Sequence, residues 1–260
     1  MGNPFRWTFG VVGRRRLSTL LRGPPRRVLG RVYRRVSILV VTPRLRSLAS
    51  RVKDIEETAE LAFSFRQYGI SLTPLQVRDE VTEFLDYVKR TKPMILLEIG
   101  TAKGGTLLML TRIALPRATI ISLDLPRGSF GGGYPRWKIP LYRSFAKQEQ
   151  KIHLLRADSH DFRTLEKVRT IIGSHKLDLL FIDGDHTYEG VKKDFEMYSP
   201  LVRRGGIVAF HDILPHDKLH DPMKEIGVDR FWRRLKDNHR CLEIVKNRRQ
   251  GWAGIGILHV

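Results

Sequence analysis

The chain has 260 residues, and 42% of them are hydrophobic, which is enough for a folded core. Its one cysteine, Cys241, excludes an internal disulfide and argues against a thiolate metal cluster, and no uncharged apolar run approaches the roughly 20 residues that span a bilayer. The net charge is +20, but residues 1–53 hold fourteen Lys and Arg and no Asp or Glu, so the remainder is only mildly basic and nucleic-acid binding by the whole protein is not expected.

Residues 1–53 are predicted to form an arginine-rich extension. Residues 1 to about 25 carry Gly, Pro and Arg without periodicity and are expected to be disordered. Residues 26–40 predict an amphipathic helix with arginines on one side. Its apolar side is formed by Val28, Leu29, Val32, Val36, Leu39 and Val40. Such a helix suits an anionic membrane surface or an acidic partner, and we then expect a cytoplasmic protein at the membrane periphery. The alternative is a helix held loosely on its own domain.

Residues 54–92 are predicted to form a helical segment, with one helix over 54–68 and a second from the N-cap Thr73 to about Arg90. From 93 to 260, strands and helices alternate, which is typical of an α/β fold with a doubly wound, mostly parallel sheet. Strands are expected at 94–99, 118–124, 151–156, 177–183, 205–211, 241–247 and 254–260. Helices are expected at 104–115, 162–173, 187–199 and 228–238. The last two strands are expected to form an antiparallel hairpin.

The first strand of this domain ends in Glu98-Ile-Gly-Thr-Ala-Lys-Gly-Gly, and Asp124 ends the second strand twenty residues after Gly104. This spacing is typical of the opening βαβ unit of a doubly wound sheet with a nucleoside-sized site. We expect the glycines to let the backbone approach a ligand closely and Asp124 to bind two ribose hydroxyls. A dinucleotide is disfavoured because Ala102 stands where that pattern requires glycine.

An insertion over 126–144 follows the second strand and therefore lies beside the predicted site. It contains several glycines together with Tyr134, Trp137 and Tyr142. The glycines favour a mobile lid whose aromatic rings cover a substrate. The alternative is a surface loop whose aromatic rings pack on the core.

With these strand ends and the glycine-rich loop, the chain resembles class I S-adenosylmethionine-dependent methyltransferases. The residues that carry the narrower resemblance are Phe181-Ile-Asp-Gly-Asp-His-Thr-Tyr-Glu-Gly190 and Pro200-Leu-Val-Arg-Arg-Gly-Gly-Ile-Val-Ala-Phe-His-Asp212. They are similar to the branch of cephalosporin-biosynthesis and macrolide-sugar O-methyltransferases. The resemblance covers about residues 70–260 and implies seven strands in the order 3-2-1-4-5-7-6.

The resemblance implies S-adenosylmethionine as the cofactor. The residues implied to bind it are Glu98, Gly100, Thr101, Gly104, Asp124, Asp158, Ser159 and Asp183. Gly100, Thr101 and Gly104 would line its methionine end, with Glu98 supporting that loop. Asp158 would meet the adenine amine with Ser159 nearby; the alternative for both residues is a helix cap.

The same sheet order brings together polar side chains that follow the fourth and fifth strands. The resemblance implies a divalent metal, magnesium or manganese, on Asp183, His211 and Asp212, although an imidazole in place of a carboxylate suits magnesium less well. Without a metal, Asp185 or His211 would act as the general base. His186 is a further catalytic candidate, and its alternative is a cap of the following helix. His216 and His220 are expected in a loop without a metal role.

The predicted function is therefore O-methylation of a hydroxyl on a small molecule, such as a sugar or glycosylated metabolite. The alternative is a non-catalytic nucleoside-binding module docked to a membrane or partner through the basic N-terminus. Assembly into a homo-oligomer is compatible with the sequence.

Overall fold

The computed structural model describes residues 24–147 and 149–260. Its centre is a seven-stranded sheet with strand order β3-β2-β1-β4-β5-β7-β6, as predicted. The strands are β1 (Ile95–Ile99), β2 (Thr119–Asp124), β3 (Lys151–Arg156), β4 (Leu177–Ile182), β5 (Val202–His211), β6 (Cys241–Ile244) and β7 (Ile255–His259). The first five strands run parallel, and β7 is antiparallel to both β5 and β6. The doubly wound fold class is confirmed.

Both faces of the sheet are buried, so its central strands are apolar along most of their length. Alternation along β1 sends Leu96 to one core and Leu97 to the other. The first core packs against α1 (Pro24–Arg51), α2 (Ile55–Ser64), α3 (Arg78–Arg90), α4 (Gly105–Ile113) and α5 (Ile139–Arg143). The second core packs against α6 (Phe162–Ile172), α7 (Tyr188–Tyr198) and α8 (Val228–Lys236). The parallel strands β1, β2 and β4 thus have their carboxyl ends on the same side of the sheet.

Helix α1 covers the predicted 26–40 but continues through Pro43 to Arg51. Its second half joins the first core through Val41, Leu45 and Ala49, which are buried. The predicted division at residue 53 lies between α1 and α2, but the second half of α1 packs on the core of the domain that follows. The predicted apolar side is exposed at Leu29, Val32, Val36, Leu39 and Val40. The predicted disorder of residues 1 to about 25 falls almost wholly outside the described residues.

Two helix boundaries differ from the prediction between residues 54 and 92. Helix α2 ends at Ser64 because a small antiparallel ladder pairs Arg66–Gln67 with Ile70–Ser71. Helix α3 begins after Val77, so Thr73 is not its N-cap. The Thr73 hydroxyl instead donates to the Phe63 carbonyl at 3.0 Å, which ties the connecting segment to the end of α2.

Within the described ranges, no helix is both long enough and apolar enough to pass through a bilayer.

Candidate functional site

A pocket of about 270 Å³ opens at the carboxyl ends of β1, β2 and β4. Six of the predicted site residues line it, namely Gly100, Asp124, Asp158, Ser159, Asp183 and Asp185. The parallel strands explain this convergence, because residues that follow different strands meet at the same edge of the sheet. The pocket wall carries four carboxylates and, among its lining residues, no lysine or arginine. It is an acidic, nucleoside-sized crevice.

Asp124 is fixed at the end of β2 by backbone donors. Its Oδ2 accepts hydrogen bonds from the amides of Ala102, at 3.0 Å, and Tyr134, at 3.1 Å. Burial raises the pKa of Asp124 to about 6, although these backbone bonds oppose the shift. Since both bonds use Oδ2, the carboxylate keeps acceptor capacity for a ligand in the pocket.

The glycines of the β1–α4 loop lie close to other parts of the protein. Gly100 has φ +96°, and a Cβ there would lie 1.9 Å from the Asp183 carbonyl oxygen. Gly104 has φ +87°, and its Cβ would lie 2.7 Å from the ring of Tyr142. Internal packing therefore requires glycine at both positions; Gly100 also lines the pocket, and close approach of a ligand to this loop stays a prediction. The Tyr142 hydroxyl donates to the Ala102 carbonyl at 3.1 Å and holds this loop from outside.

Glu98 and Thr101 lie beneath the loop and do not line the pocket. Glu98 is completely buried, and burial, followed by the charges of Asp124 and Asp183, raises its pKa well above the ordinary value. Thr101 is buried as well, and its hydroxyl bonds the Ser122 hydroxyl. Glu98 is thus in place to support the loop, whereas Thr101 links the loop to β2 instead of lining the site.

Asp158 and Ser159 lie where β3 ends, and the helix-cap alternative fails for Asp158. The cap of α6 is Asp161, whose side chain accepts from the Arg163 amide at 2.8 Å. Asp158 accepts only from the His160 amide, at 2.8 Å, and remains on the pocket wall. The Ser159 carbonyl accepts from the Tyr198 hydroxyl at 2.8 Å, which fixes this turn.

A cluster of imidazoles and carboxylates closes the inner end of the pocket, after β4 and β5. His186 donates through Nδ1 to Asp212 Oδ2 at 2.8 Å, and its Nε2 lies 3.5 Å from Asp183 Oδ1. His211 Nδ1 lies 3.2 Å from Asp183 Oδ1 and 3.3 Å from Asp212 Oδ1. The Gln76 amide donates to Asp183 Oδ2 at 3.0 Å. We call these residues, with His216, the Asp–His cluster.

The electrostatics of the cluster keep His211 and Asp212 ionised. Burial alone would lower the pKa of His211, but the charges of Asp212 and Asp183 outweigh it and raise that pKa well above the ordinary value. Burial would raise the pKa of Asp212, but the charge of His211 and the close approach of the His186, His211 and His216 imidazoles hold that pKa well below its usual range. The pair is therefore a buried ion pair at neutral pH.

The two histidines of the cluster differ in exposure. The His211 side chain is only 2% exposed, whereas that of His186 is 19% exposed, so His211 is the less accessible to a substrate. Among the described residues, the three groups whose ligand atoms lie within 4.8 Å of one another are Asp183, His186 and Asp212. This set shares Asp183 and Asp212 with the predicted metal set and has His186 in place of His211. The cap of α7 is Thr187, through the Gly190 amide at 3.0 Å, so His186 is free of that role.

Asp185 lies at the pocket as predicted, whereas His216 does not stay apart from the site. Asp185 lines the pocket, but its Oδ1 accepts from the Thr187 amide at 2.9 Å and so helps to start α7. His216 is drawn into the cluster, with Nε2 3.2 Å from Asp212 Oδ1. Asp212 adopts φ +64°, which turns the chain sharply and brings His216 back towards it. A non-glycine residue rarely adopts this backbone conformation, so the sequence pattern did not predict the contact.

The insertion over 126–144 combines both predicted alternatives. Gly128, Ser129 and Phe130 line the pocket, and Phe130 stacks on His186 with ring centroids 4.9 Å apart and planes 3° apart. Tyr134 and Tyr142 are buried in the first core. The first part of the insertion therefore covers the site, and the second part anchors it. Phe130 is a site residue that sequence analysis missed.

Residues 97–213 match a family model described as a methyltransferase domain. Three solved structures share the fold. The O-methyltransferase TomG from Streptomyces achromogenes, in complex with SAM, is 17% identical with a TM-score of 0.56, covering 85% of this chain and 96% of that one. An O-methyltransferase from Bacillus cereus in complex with SAH is 16% identical with a TM-score of 0.53, covering 85% and 97%. Cofactor-bound Rv0187 from MTB is 18% identical with a TM-score of 0.52, covering 92% and 99%.

One curated relative matches locally. It is the uncharacterized protein R132 of Acanthamoeba polyphaga mimivirus, which is 50% identical over 36 residues. The match spans 14% of this chain and 16% of that protein.

Proposed function

We propose that this class I methyltransferase domain transfers a methyl group from S-adenosylmethionine to a hydroxyl oxygen of a small molecule. The observation that carries the proposal is one continuous pocket of about 270 Å³. It runs from Asp124 and Asp158, which suit a nucleoside, to the Asp–His cluster, which suits proton transfer.

The pocket wall favours this cofactor over a nucleotide. Its lining offers carboxylates to ribose hydroxyls, an adenine amine and a sulfonium cation, and it offers no lysine or arginine to a phosphate. In the proposal, Asp124 binds the ribose diol, Asp158 and Ser159 meet the adenine, and Gly100 and Asp183 lie at the methionine end. TomG and the Bacillus cereus enzyme, which share the fold, were solved with SAM and SAH.

The transfer needs alignment and one proton acceptor. A lone pair of the acceptor oxygen forms the new C–O bond while the C–S bond breaks. The electron pair of the C–S bond passes to sulfur, and a base accepts the hydroxyl proton. We assign the base to His186, because its Nδ1 lies 2.8 Å from Asp212, its side chain is 19% exposed, and its ring stacks on Phe130, which lines the pocket. His211 is too deeply buried for this role, and one oxygen of Asp185 is used at the start of α7.

As an alternative to a His186 base, the Asp–His cluster fits a divalent ion, and His186 would then be a ligand of the ion and would not accept the proton. Asp183, His186 and Asp212 offer two carboxylates and an imidazole at mutual distances suited to one ion, and Asp212 Oδ1 is a buried oxygen without a well-formed hydrogen bond. This donor set suits manganese, iron or zinc better than magnesium. A bound ion would lower the pKa of the acceptor hydroxyl.

The test has a binding arm and a transfer arm. Calorimetry with S-adenosylhomocysteine, with and without manganese, should show tight binding by the full chain. Methyl transfer from labelled S-adenosylmethionine is then screened on sugars and glycosylated metabolites. A chain that binds neither the cofactor nor its product would refute the proposal.

We further propose that α1 docks on an anionic membrane surface. Its outward side exposes an apolar stripe, Leu29, Val32, Tyr33, Val36, Leu39 and Val40. Exposed arginines flank the stripe at Arg34, Arg35 and Arg44. Apolar area combined with positive charge is what an interfacial helix requires.

The docking proposal is tested by flotation with vesicles that contain phosphatidylglycerol. Leu39→Glu, at a residue 73% exposed, should reduce binding strongly. The matched control is Leu219→Glu, because Leu219 is 82% exposed and lies far along the chain from α1. Equal binding by both variants would rule out docking through the stripe.

A further inference from the structure

A second cavity, of about 470 Å³, lies at the opposite end of α4 from the pocket. It is enclosed by the end of α1, the start of α2, the ends of α3 and α4, and residues 144–147. Helix α4 begins at Gly105 beside the pocket loop and ends at Ile113 on the cavity wall, about 13 Å further along its axis. The two sites share no lining residue. We call this second site the basic cavity.

Five cationic side chains from four parts of the chain line the basic cavity. They are Arg46, Lys53, Lys89, Arg112 and Lys147. The only carboxylate on the wall is Asp54, and its Oδ1 accepts from the Glu57 amide at 2.8 Å as the cap of α2. In the described part of the chain, none of the five cations forms a salt bridge. The cavity therefore concentrates positive charge that the protein does not neutralise.

Two of these cations are partly buried and contact only neutral groups. Arg112 donates to the carbonyls of Ala49, at 3.2 Å, and Phe145, and Lys147 Nζ donates to the Arg112 carbonyl at 2.9 Å. Burial, followed by the charges of Arg112 and Lys89, lowers the pKa of Lys147. Like charges held together in a half-enclosed place are costly without a counter-ion. An anion in the cavity would remove that cost.

From this arrangement we infer that the basic cavity binds a phosphate group, carried by a soluble phosphate compound or by a lipid headgroup. A phosphate carries enough negative charge and enough oxygens to contact several cations at once, whereas one carboxylate would leave most of them unpaired. The volume suits a small ligand. The start of the ten-residue helix α2 adds a positive dipole end to the same wall.

The experiment uses the full chain and two probes at constant ionic strength. Inorganic pyrophosphate is titrated by calorimetry, and vesicles of phosphatidylcholine with or without phosphatidic acid are tested by flotation. The test variant is Lys53→Gln with Lys89→Gln, since both lysines are exposed on the cavity rim and have no carboxylate partner. The matched control removes two exposed lysines elsewhere, Lys167→Gln with Lys218→Gln.

We expect the test variant to bind pyrophosphate at least about tenfold more weakly than the wild type, while the control variant is unchanged. Loss of binding to phosphatidic acid vesicles alone would identify a lipid headgroup as the source of the phosphate. Wild-type protein that binds neither probe, or equal losses in test and control variants, would overturn the inference. Binding of S-adenosylhomocysteine should be the same in all three proteins, which keeps this result separate from the proposed methyl transfer.

Discussion

Replacing Asp124 by Asn tests the cofactor site most directly. In the proposed complex the ribose diol donates two hydrogen bonds to this carboxylate. Hydrogen bonds to a charged acceptor contribute about 1.5–3 kcal/mol each, against about 0.5–1.5 kcal/mol for neutral ones. Loss of the charge should therefore reduce the binding free energy of S-adenosylhomocysteine by about 2 kcal/mol. This corresponds to a Kd that is roughly 30-fold higher, measured by calorimetry at pH 7.5.

The same substitution should stabilise the ligand-free protein. Burial raises the pKa of Asp124 from 3.8 to about 6, so the folded state binds a proton more tightly than the unfolded chain. The stabilising contribution of the protonated carboxyl is complete below pH 3.8 and is lost as the pH rises to about 6. Asn at 124 carries no charge, and we expect it to add up to about 3 kcal/mol to the free energy of unfolding at pH 7.5. Weaker binding with a higher Tm cannot result from misfolding.

The pH profile provides the decisive comparison. Wild-type affinity for S-adenosylhomocysteine should fall as the pH is lowered through about 6, by as much as about tenfold per unit, because Asp124 becomes protonated. The Asn variant should not show this fall. The control is Asp161→Asn, since Asn caps α6 as well as Asp does and this residue does not line the pocket. Asn at 124 with wild-type affinity would refute the ribose assignment.

Three further changes test the remaining parts of the site. His186→Asn should lower kcat at least about 100-fold with little change in cofactor affinity, and a larger loss from Asp185→Asn would reverse the base assignment. Gly100→Ala should destabilise the folded protein far more than Gly173→Ala. Both glycines have positive φ, but of the two only Gly100 lacks room for a Cβ; the free energies of unfolding are compared by chemical denaturation. Phe130→Ala should raise the KM of the acceptor through loss of the cover over His186, and an unchanged KM would exclude that role.

The sheet could be predicted because each of its strands leaves a local signal. Apolar runs ending in Asp or Gly marked the parallel strands, whereas the order of all seven strands was implied by the family resemblance and agrees with the structure. Asp124, Asp158 and Asp183 reach one pocket because each lies at the end of a strand or within two residues after it, and these strands end on the same side of the sheet. Position along the chain was enough to place them.

The choice between His186 and His211 could not be read from position. His211 is the last residue of β5. The alternation of side chains along a strand turns it to a buried face of the sheet, where it lies beside the carboxylates of Asp183 and Asp212. His186 lies in the loop after β4, where its ring direction depends on Asp212 and Phe130. Those contacts join residues that are far apart in sequence, so no local pattern records them.

Helix α1 shows why periodicity alone can select the wrong face. The helix carries two apolar stripes, and the pattern over 26–40 identified the longer one, which faces away from the core. The second stripe, through Ile38, Val41, Leu45 and Ala49, packs on the first core instead. A helix can turn only one face to the core, and in α1 that face carries the second stripe. The stripe that remains outside lies beside exposed arginines and is therefore free to meet a second surface, which is the physical basis of the docking proposal.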